Sequence, residues 1–230
     1  MKIAIYSLNF ALGKKNLADE RLKELSQILH PQNVVSIQVE LVGFDSSREL
    51  DALIVKRELK EDLLLMDLEK IEEGILKDSQ RKDFFMLLKE KLEKEVLLNE
   101  ISFSSEENKI IQALNLITAK PIIFMEEQEV DLLPHKIKEL YYKSKRICFF
   151  TANEKQLRAW EIKEGANAYE ASGLIHSDIQ KGFIRAEVIN YNTIKQEGSL
   201  SAAKAKGLVR LEGKNYAIQD GDLIYFRFNV

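Results

Sequence analysis

The first residues with chemistry to offer are Gly13 and Lys14, which follow an apolar run over residues 2–8. A phosphate-binding loop has the form G-x-x-x-x-G-K-[ST] between a strand and a helix. Its glycines let backbone amides wrap the phosphates, its lysine reaches the terminal phosphates, and its hydroxyl binds magnesium. Gly13-Lys14 stands where the G-K pair would be. Leu8 holds the first glycine position and fills space that bare backbone needs, while Lys15 holds the hydroxyl position and cannot ligate a cation. The competing reading makes Lys14 and Lys15 solvated charges at a helix start, and the two departures favour it.

Other reactive types are sparse. His176, Ser177 and Asp178 are adjacent, and three consecutive side chains point apart, so they predict structure and not a triad. His30 at a helix end and His135 in a charged helix have no second ligand at metal spacing, so no metal is expected. Cys148, the sole cysteine, lies among Ile147, Phe149 and Phe150 and reads as a buried, inert thiol. A different chemistry is electrostatic. Lys181, Arg185, Lys204, Lys206, Arg210 and Lys214 supply cations able to track phosphates, and Arg158 with Trp160 offers a stacking surface. The plain alternatives are solvated charges and a core tryptophan. Residues 199–207 are small, polar and lysine-bearing, an exposed loop or short helix that a partner can approach closely.

The elements that position these residues follow from periodicity. Residues 2–8 and 51–55 read as buried strands, 34–44 as one alternating strand and 121–125 as another. Residues 17–29 are helical and stop at His30-Pro31, since proline cannot continue the ladder. From 60 to 99 the pattern is helical and charged. One stripe is Leu64, Leu68, Ile71 and Ile75; a second is Phe84, Leu87, Leu88, Leu92 and Val96, with Gly74 and the polar run 77–82 between them. That predicts an antiparallel hairpin. Ser104-Ser105-Glu106-Glu107 caps a helix running to about Thr118, and 134–142 forms another. Beyond it, strands at 146–151, 157–162, 183–189, 208–211 and 223–228 alternate with short helices, and Asp220-Gly221-Asp222 marks the last turn. A small mixed sheet around one or two helices is expected there.

With 230 residues the chain can hold one large domain or two to three small ones. Net charge is −3, which excludes a general polyanion binder and leaves only local basic patches. The part after Lys145 carries about +2, and the rest is correspondingly acidic. No apolar run approaches the ~18–20 residues of a membrane span. The short apolar N-terminus reads as a first strand and not a signal peptide. A cytoplasmic protein with no membrane contact is expected.

Three blocks carry a resemblance: FFTANEKQLRAWEIKEG (149–165), GLIHSDIQKGFIRAEVI (173–189) and VRLEGKNYAIQDGDLIYFRFNV (209–230). They are similar to the TGS-containing C-terminal domain of the YchF/Obg-like ATPase family. The resemblance implies an α/β chain: a truncated P-loop-like sheet at 1–59 and 117–145, a helical hairpin insertion at 60–116, and a ubiquitin-like β-grasp TGS domain at 146–230. It resumes at Asp19-Glu20-Arg21-Leu22, similar to the family's D-x-R-L segment, which leaves too few residues for the family's first helix and magnesium-contacting loop. Where the family has a D-x-x-G turn, Gly43 takes the aspartate position and Ser46 the glycine position. Where a base-reading asparagine should follow residues 120–124, Met125-Glu126-Glu127-Gln128-Glu129 stands.

Phosphoryl transfer depends on positioning and charge neutralisation by loop, lysine and magnesium. Losing one such element costs a factor of roughly 10² or more, by analogy with single oxyanion donors, and here three are altered. The expectation is a non-catalytic pseudo-GTPase, with Gly13 and Lys14 as a remnant and no cofactor. Its TGS module is expected to contact the ribosome, structured RNA or a protein partner. The alternative is a shortened ATPase or GTPase that binds ATP or GTP with magnesium at an atypical site. A third reading is pairing through exposed apolar surface, with another protein or as a homo-oligomer.

Overall fold

The structure, a computed structural model, describes residues 1–45 and 49–229. The chain forms two compact units, Met1–Lys15 with Val39–Ser144, and Asn16–Gln38 with Lys145–Val230. It opens with β1 (Lys2–Tyr6) and β2 (Gly13–Asn16), passes through α1 (Glu20–Leu29) and β3 (Asn33–Val35), and returns with β4 (Gln38–Gly43) and β5 (Ala52–Lys56). The helices α2 (Lys60–Lys77), α3 (Lys82–Glu93) and α4 (Ser105–Ala113), the strand β6 (Ile122–Met125) and α5 (Leu133–Lys143) complete the first unit.

Its sheet runs β2-β4-β1-β5-β6. β1 is parallel to β4 and β5, and β5 is parallel to β6. These strands are continuous apolar runs because a parallel sheet is covered on both faces; Ile3, Ala4, Leu53, Ile54 and Val55 are all buried. Ala4, Leu53, Val55 and Ile122 pack with Leu63 of α2. The rest of α2 meets α3 and α4 through Leu64, Ile71, Phe85, Leu88, Leu92 and Ile111.

The expected hairpin is present, but Phe85 and not Leu87 turns inward. Gly74 lies within α2, where a Cβ would come 3.2 Å from Phe85 Cε2, so the missing side chain makes room for the ring. The helix expected to reach Thr118 ends at Ala113. Asn115 takes a φ of 48° and breaks the ladder. Buried Asp67 then accepts the Ile117 amide at 2.9 Å, the Thr118 amide at 2.7 Å and Thr118 Oγ1 at 2.7 Å.

The second unit adds to α1 and β3 the hairpin β7 (Arg146–Ala152) and β8 (Gln156–Lys163), then α6 (Ala168–Ile175), α7 (Ser177–Lys181) and β9 (Phe183–Asn190). It ends with α8 (Tyr191–Glu197), α9 (Leu200–Ala205), β10 (Arg210–Glu212) and β11 (Asp222–Phe228). Its mixed sheet runs β10-β9-β11-β7-β8-β3. β11 sits centrally, parallel to β7 and antiparallel to β9. One face packs Phe149, Ile162, Phe183, Ala186, Val188, Ile224 and Phe226 against Ala168 and Ala171 of α6.

Two expectations fail here. Residues 34–44 are two strands, because β3 pairs with β8 in one sheet and β4 pairs with β1 in the other. A period-2 pattern reads the same whether its halves join one sheet or two. Residues 16–38, assigned from sequence to the N-terminal domain, lie in the second unit. Charge explains much of this: Arg21 of α1 pairs with Asp220, and Glu24 with Lys195 and Tyr191.

Candidate functional site

Gly13 and Lys14 open β2, the edge strand of the first sheet, and the next helix begins at Glu20. The expectation of a helix start at Lys14-Lys15 is therefore corrected: both residues are in extended backbone. A phosphate cradle uses amides that converge at a helix N-terminus; along a strand, successive amides point to opposite edges. Leu8 and Phe10 are buried, so the segment before Gly13 is anchored by apolar packing. A Cβ placed on Gly43 would lie 3.9 Å from Leu12 Cδ1, so an aliphatic group stands beside the position where the family pattern has an aspartate. Ser46 lies outside the described residues. Residues 8–15 thus run from buried apolar anchors into an edge strand.

The acidic stretch after β6 has a local role. Glu126 caps the 3-10 turn Glu127–Leu132, its side chain accepting the Glu129 amide while its own amide donates to the Glu129 carboxylate at 2.7 Å. Arg57 pairs with both carboxylates, at 3.3 Å from Glu126 and 3.8 Å from Glu129. Among the described residues no three His, Cys, Asp or Glu side chains are placed to hold a metal ion, and no helix is long and apolar enough to cross a membrane.

In the second unit, Asp19 caps α1 by accepting the Arg21 amide, and Arg21 bridges Asp19 at 2.8 Å and Asp220 at 2.7 Å. Asp220 Oδ1 accepts the Cys148 amide at 2.9 Å. The Cys148 thiol is buried and touches this cluster at 3.4 Å from Asp19 and from Arg21, and burial pushes its pKa well above the ordinary value. That suits the inert thiol expected from its neighbours. His176 caps α7, its Nδ1 accepting the Asp178 amide at 3.1 Å.

The sequence-derived cations fall into two groups. Arg158 lies over the Trp160 ring at 4.0 Å, Lys214 over Tyr169 at 5.1 Å, Lys206 pairs with Glu197 at 2.6 Å, and Arg210 donates to Tyr216 at 2.7 Å. These four are engaged. Lys181, Arg185 and Lys204 are exposed and make no ion pair among the described residues. Trp160 is half-buried, stacked on Phe149, with its indole N–H donating to Thr151 at 2.9 Å.

Sequence reasoning passed over Tyr225. Register places Leu211, Glu187 and Tyr225 side by side on β10, β9 and β11, with Arg185 and Arg227 in the next row. Tyr225 is 62% exposed and Leu211 60%. The signal was present as alternation in β11, where Ile224 and Phe226 go inward, but apolar residues on both faces concealed it.

A family model described as YchF-GTPase_C, "Protein of unknown function (DUF933)", matches residues 147–229. The ribosome-binding ATPase YchF of Bacillus subtilis (strain 168) is 31% identical over 236 residues, covering 74% of this chain and 64% of that protein. Obg-like ATPase 1 of Homo sapiens is 47% identical over 98 residues, 43% of this chain and 25% of that protein. The solved Schizosaccharomyces pombe YchF GTPase superposes with a TM-score of 0.79 at 18% identity, covering 99% of this chain and 97% of that one, a likeness of fold. The chain thus spans less than two thirds of the curated relatives it matches. Sequence match along most of the chain and a common fold agree: this protein belongs to the YchF/Obg-like ATPase family.

Proposed function

We propose that this chain is a non-catalytic family member, a pseudo-GTPase whose working part is the second unit. That unit would act as a TGS-type β-grasp module contacting the ribosome or structured RNA. The observation that carries the reading is the placement of Gly13-Lys14 in an edge strand instead of at the head of a helix. The β-grasp assignment of 146–230 is supported by a central β11 parallel to β7, each flanked by an antiparallel partner. The P-loop remnant would be the first unit, Met1–Lys15 with Val39–Ser144, with 60–116 as its hairpin insertion. The ribosomal role is suggested by the printed name of the Bacillus relative, and a cytoplasmic location accompanies it.

Two measurements test this. Co-sedimentation with ribosomes at low and high salt should show a salt-sensitive bound fraction; a protein left in the supernatant at low salt refutes the RNA arm. Thermal unfolding with ATP or GTP and magnesium should be unchanged. A bound nucleotide at a hundredfold excess over Kd would add about 2.7 kcal/mol, so a clear upward shift refutes the non-catalytic arm and favours the shortened ATPase.

A further inference from the structure

We propose that the outer face of β10, β9 and β11, with the cavity beneath α9, is a stacking site for an unpaired nucleotide of single-stranded RNA. The inference rests on the ribosome or RNA reading above and assigns it a place on the molecule.

The cavity, about 220 Å3, is lined by Ile189, Leu200, Lys204, Val209, Leu223 and Tyr225. Sites for drug-sized ligands run to ~300–1,000 Å3, so this one suits a single ring. Tyr225 stands at its mouth and stacks on no other ring among the described residues. A phenol held on a sheet face with its ring uncovered is a platform for an unstacked base, because every base has a π-face.

Charge selects the occupant. Lys204 flanks the cavity and is unpaired among the described residues, as is Arg185 one row away. Glu187, the one carboxylate in the lining, is neutralised by Arg227, whose Nε donates to it at 2.6 Å. Lys204 beside the cavity and Arg185 one row along β9 are therefore cations without ion pairs among the described residues, near an open aromatic. A base on Tyr225 would carry its flanking phosphates toward Lys204 on one side and Arg185 on the other. A neutral apolar peptide would leave both cations idle. A base-paired stem would present stacked bases that Tyr225 cannot reach.

The test uses the full chain with fluorescein-labelled hexauridylate, a fully paired RNA hairpin as comparison, and anisotropy as readout. Hexauridylate should bind better than the hairpin, and Tyr225→Ala should weaken it roughly 5- to 150-fold, the cost of one base–aromatic stack. Tyr225→Phe keeps the ring and should retain binding. Lys204→Gln should lower the salt slope by about 0.7, one phosphate on a single strand. Tyr225 is at the surface, and Trp160 fluorescence reports whether each variant is folded. Equal binding by Tyr225→Ala, or a preference for the paired hairpin, overturns the proposal. If ribosomes still co-sediment with a chain that ignores hexauridylate, this site fails while the ribosomal reading stands. If ribosomes do not co-sediment but hexauridylate binding depends on Tyr225, the site stands and the ribosomal reading fails.

Discussion

Replacing Arg21 by methionine isolates the charge cluster that ties α1 to the second unit. The Arg21 side chain is 18% exposed, Asp19 7% and Asp220 31%. Removing one member of a buried pair strands its partner and costs about 3–5 kcal/mol. Asp220 is nearly one third exposed, so water compensates much of its loss, and Asp19 carries most of the penalty. An overall cost of about 3 kcal/mol is expected near neutral pH. Trp160, the only tryptophan, lies in the same unit, so urea unfolding followed by its fluorescence reads that unit. With a slope of roughly 2 kcal/mol per M, the midpoint should fall by about 1.5 M. The pH dependence adds a sharper criterion. Burial pushes Asp19 up, but hydrogen bonds and charge from Arg21, with a smaller contribution from Cys148, outweigh it and hold the carboxyl below its ordinary value. A depressed carboxylate contributes stability that is present above the unfolded value and lost as pH falls through the lower folded one. In the methionine variant burial is opposed only by the residue 21 amide and the Cys148 thiol, so protonation at mildly acidic pH relieves part of the penalty. The gap between the two proteins should therefore narrow toward about pH 4. A gap under roughly 1 kcal/mol near neutrality, or one constant across that range, would refute the reasoning.

Asp67→Ala strands two buried amides and a hydroxyl, which should cost about 2–4 kcal/mol and speed hydrogen exchange at Ile117 and Thr118; unchanged exchange there would contradict the role given to Asp67. Gly221 has a φ of +87°, and a Cβ on it would meet Arg21 Nη1 at 3.0 Å, so Gly221→Ala should lower the Trp160-monitored midpoint by an amount equivalent to about 1–3 kcal/mol. Cys148 should react with a thiol reagent only after urea unfolds the second unit; rapid labelling of the native protein would contradict its burial. Tyr216 is pushed up to about 12, first by burial and then by its hydrogen bond to Asp222. Asp222→Asn should lower that value in an NMR titration of the tyrosine ring, and because Asp222 is buried and its Oδ2 accepts from Tyr216 at 2.8 Å and the Gln219 amide at 3.0 Å, it should also cost about 1–3 kcal/mol.

The strands of the second sheet were legible because their alternation is bounded by turn residues and each strand is read locally. Asp220-Gly221-Asp222 marked its turn for that reason. What the turn does was not legible: Asp220 meets Arg21 across 199 residues, and no local pattern encodes that separation. The same limit explains Lys14 and Lys15. Gly-Lys-Lys-Asn has weak strand propensity, and it is extended because it borders β4, a tertiary decision that overrides local preference. The cation set shows the limit at a candidate site. Seven basic residues looked equivalent in sequence, yet four are held by rings or carboxylates and three are not, because engagement depends on Trp160, Tyr169, Tyr216 and Glu197 being brought alongside. Tyr225 was overlooked for the opposite reason. A strand reading Leu-Ile-Tyr-Phe-Arg-Phe resembles one buried on both sides, and only the folded structure shows the Tyr225 ring to be exposed. An exposed ring in such a strand is a departure from the local rule with no packing gain to offset it. Departures of that kind concentrate where a molecule binds something else, and the stacking site proposed on β11 rests on that tendency.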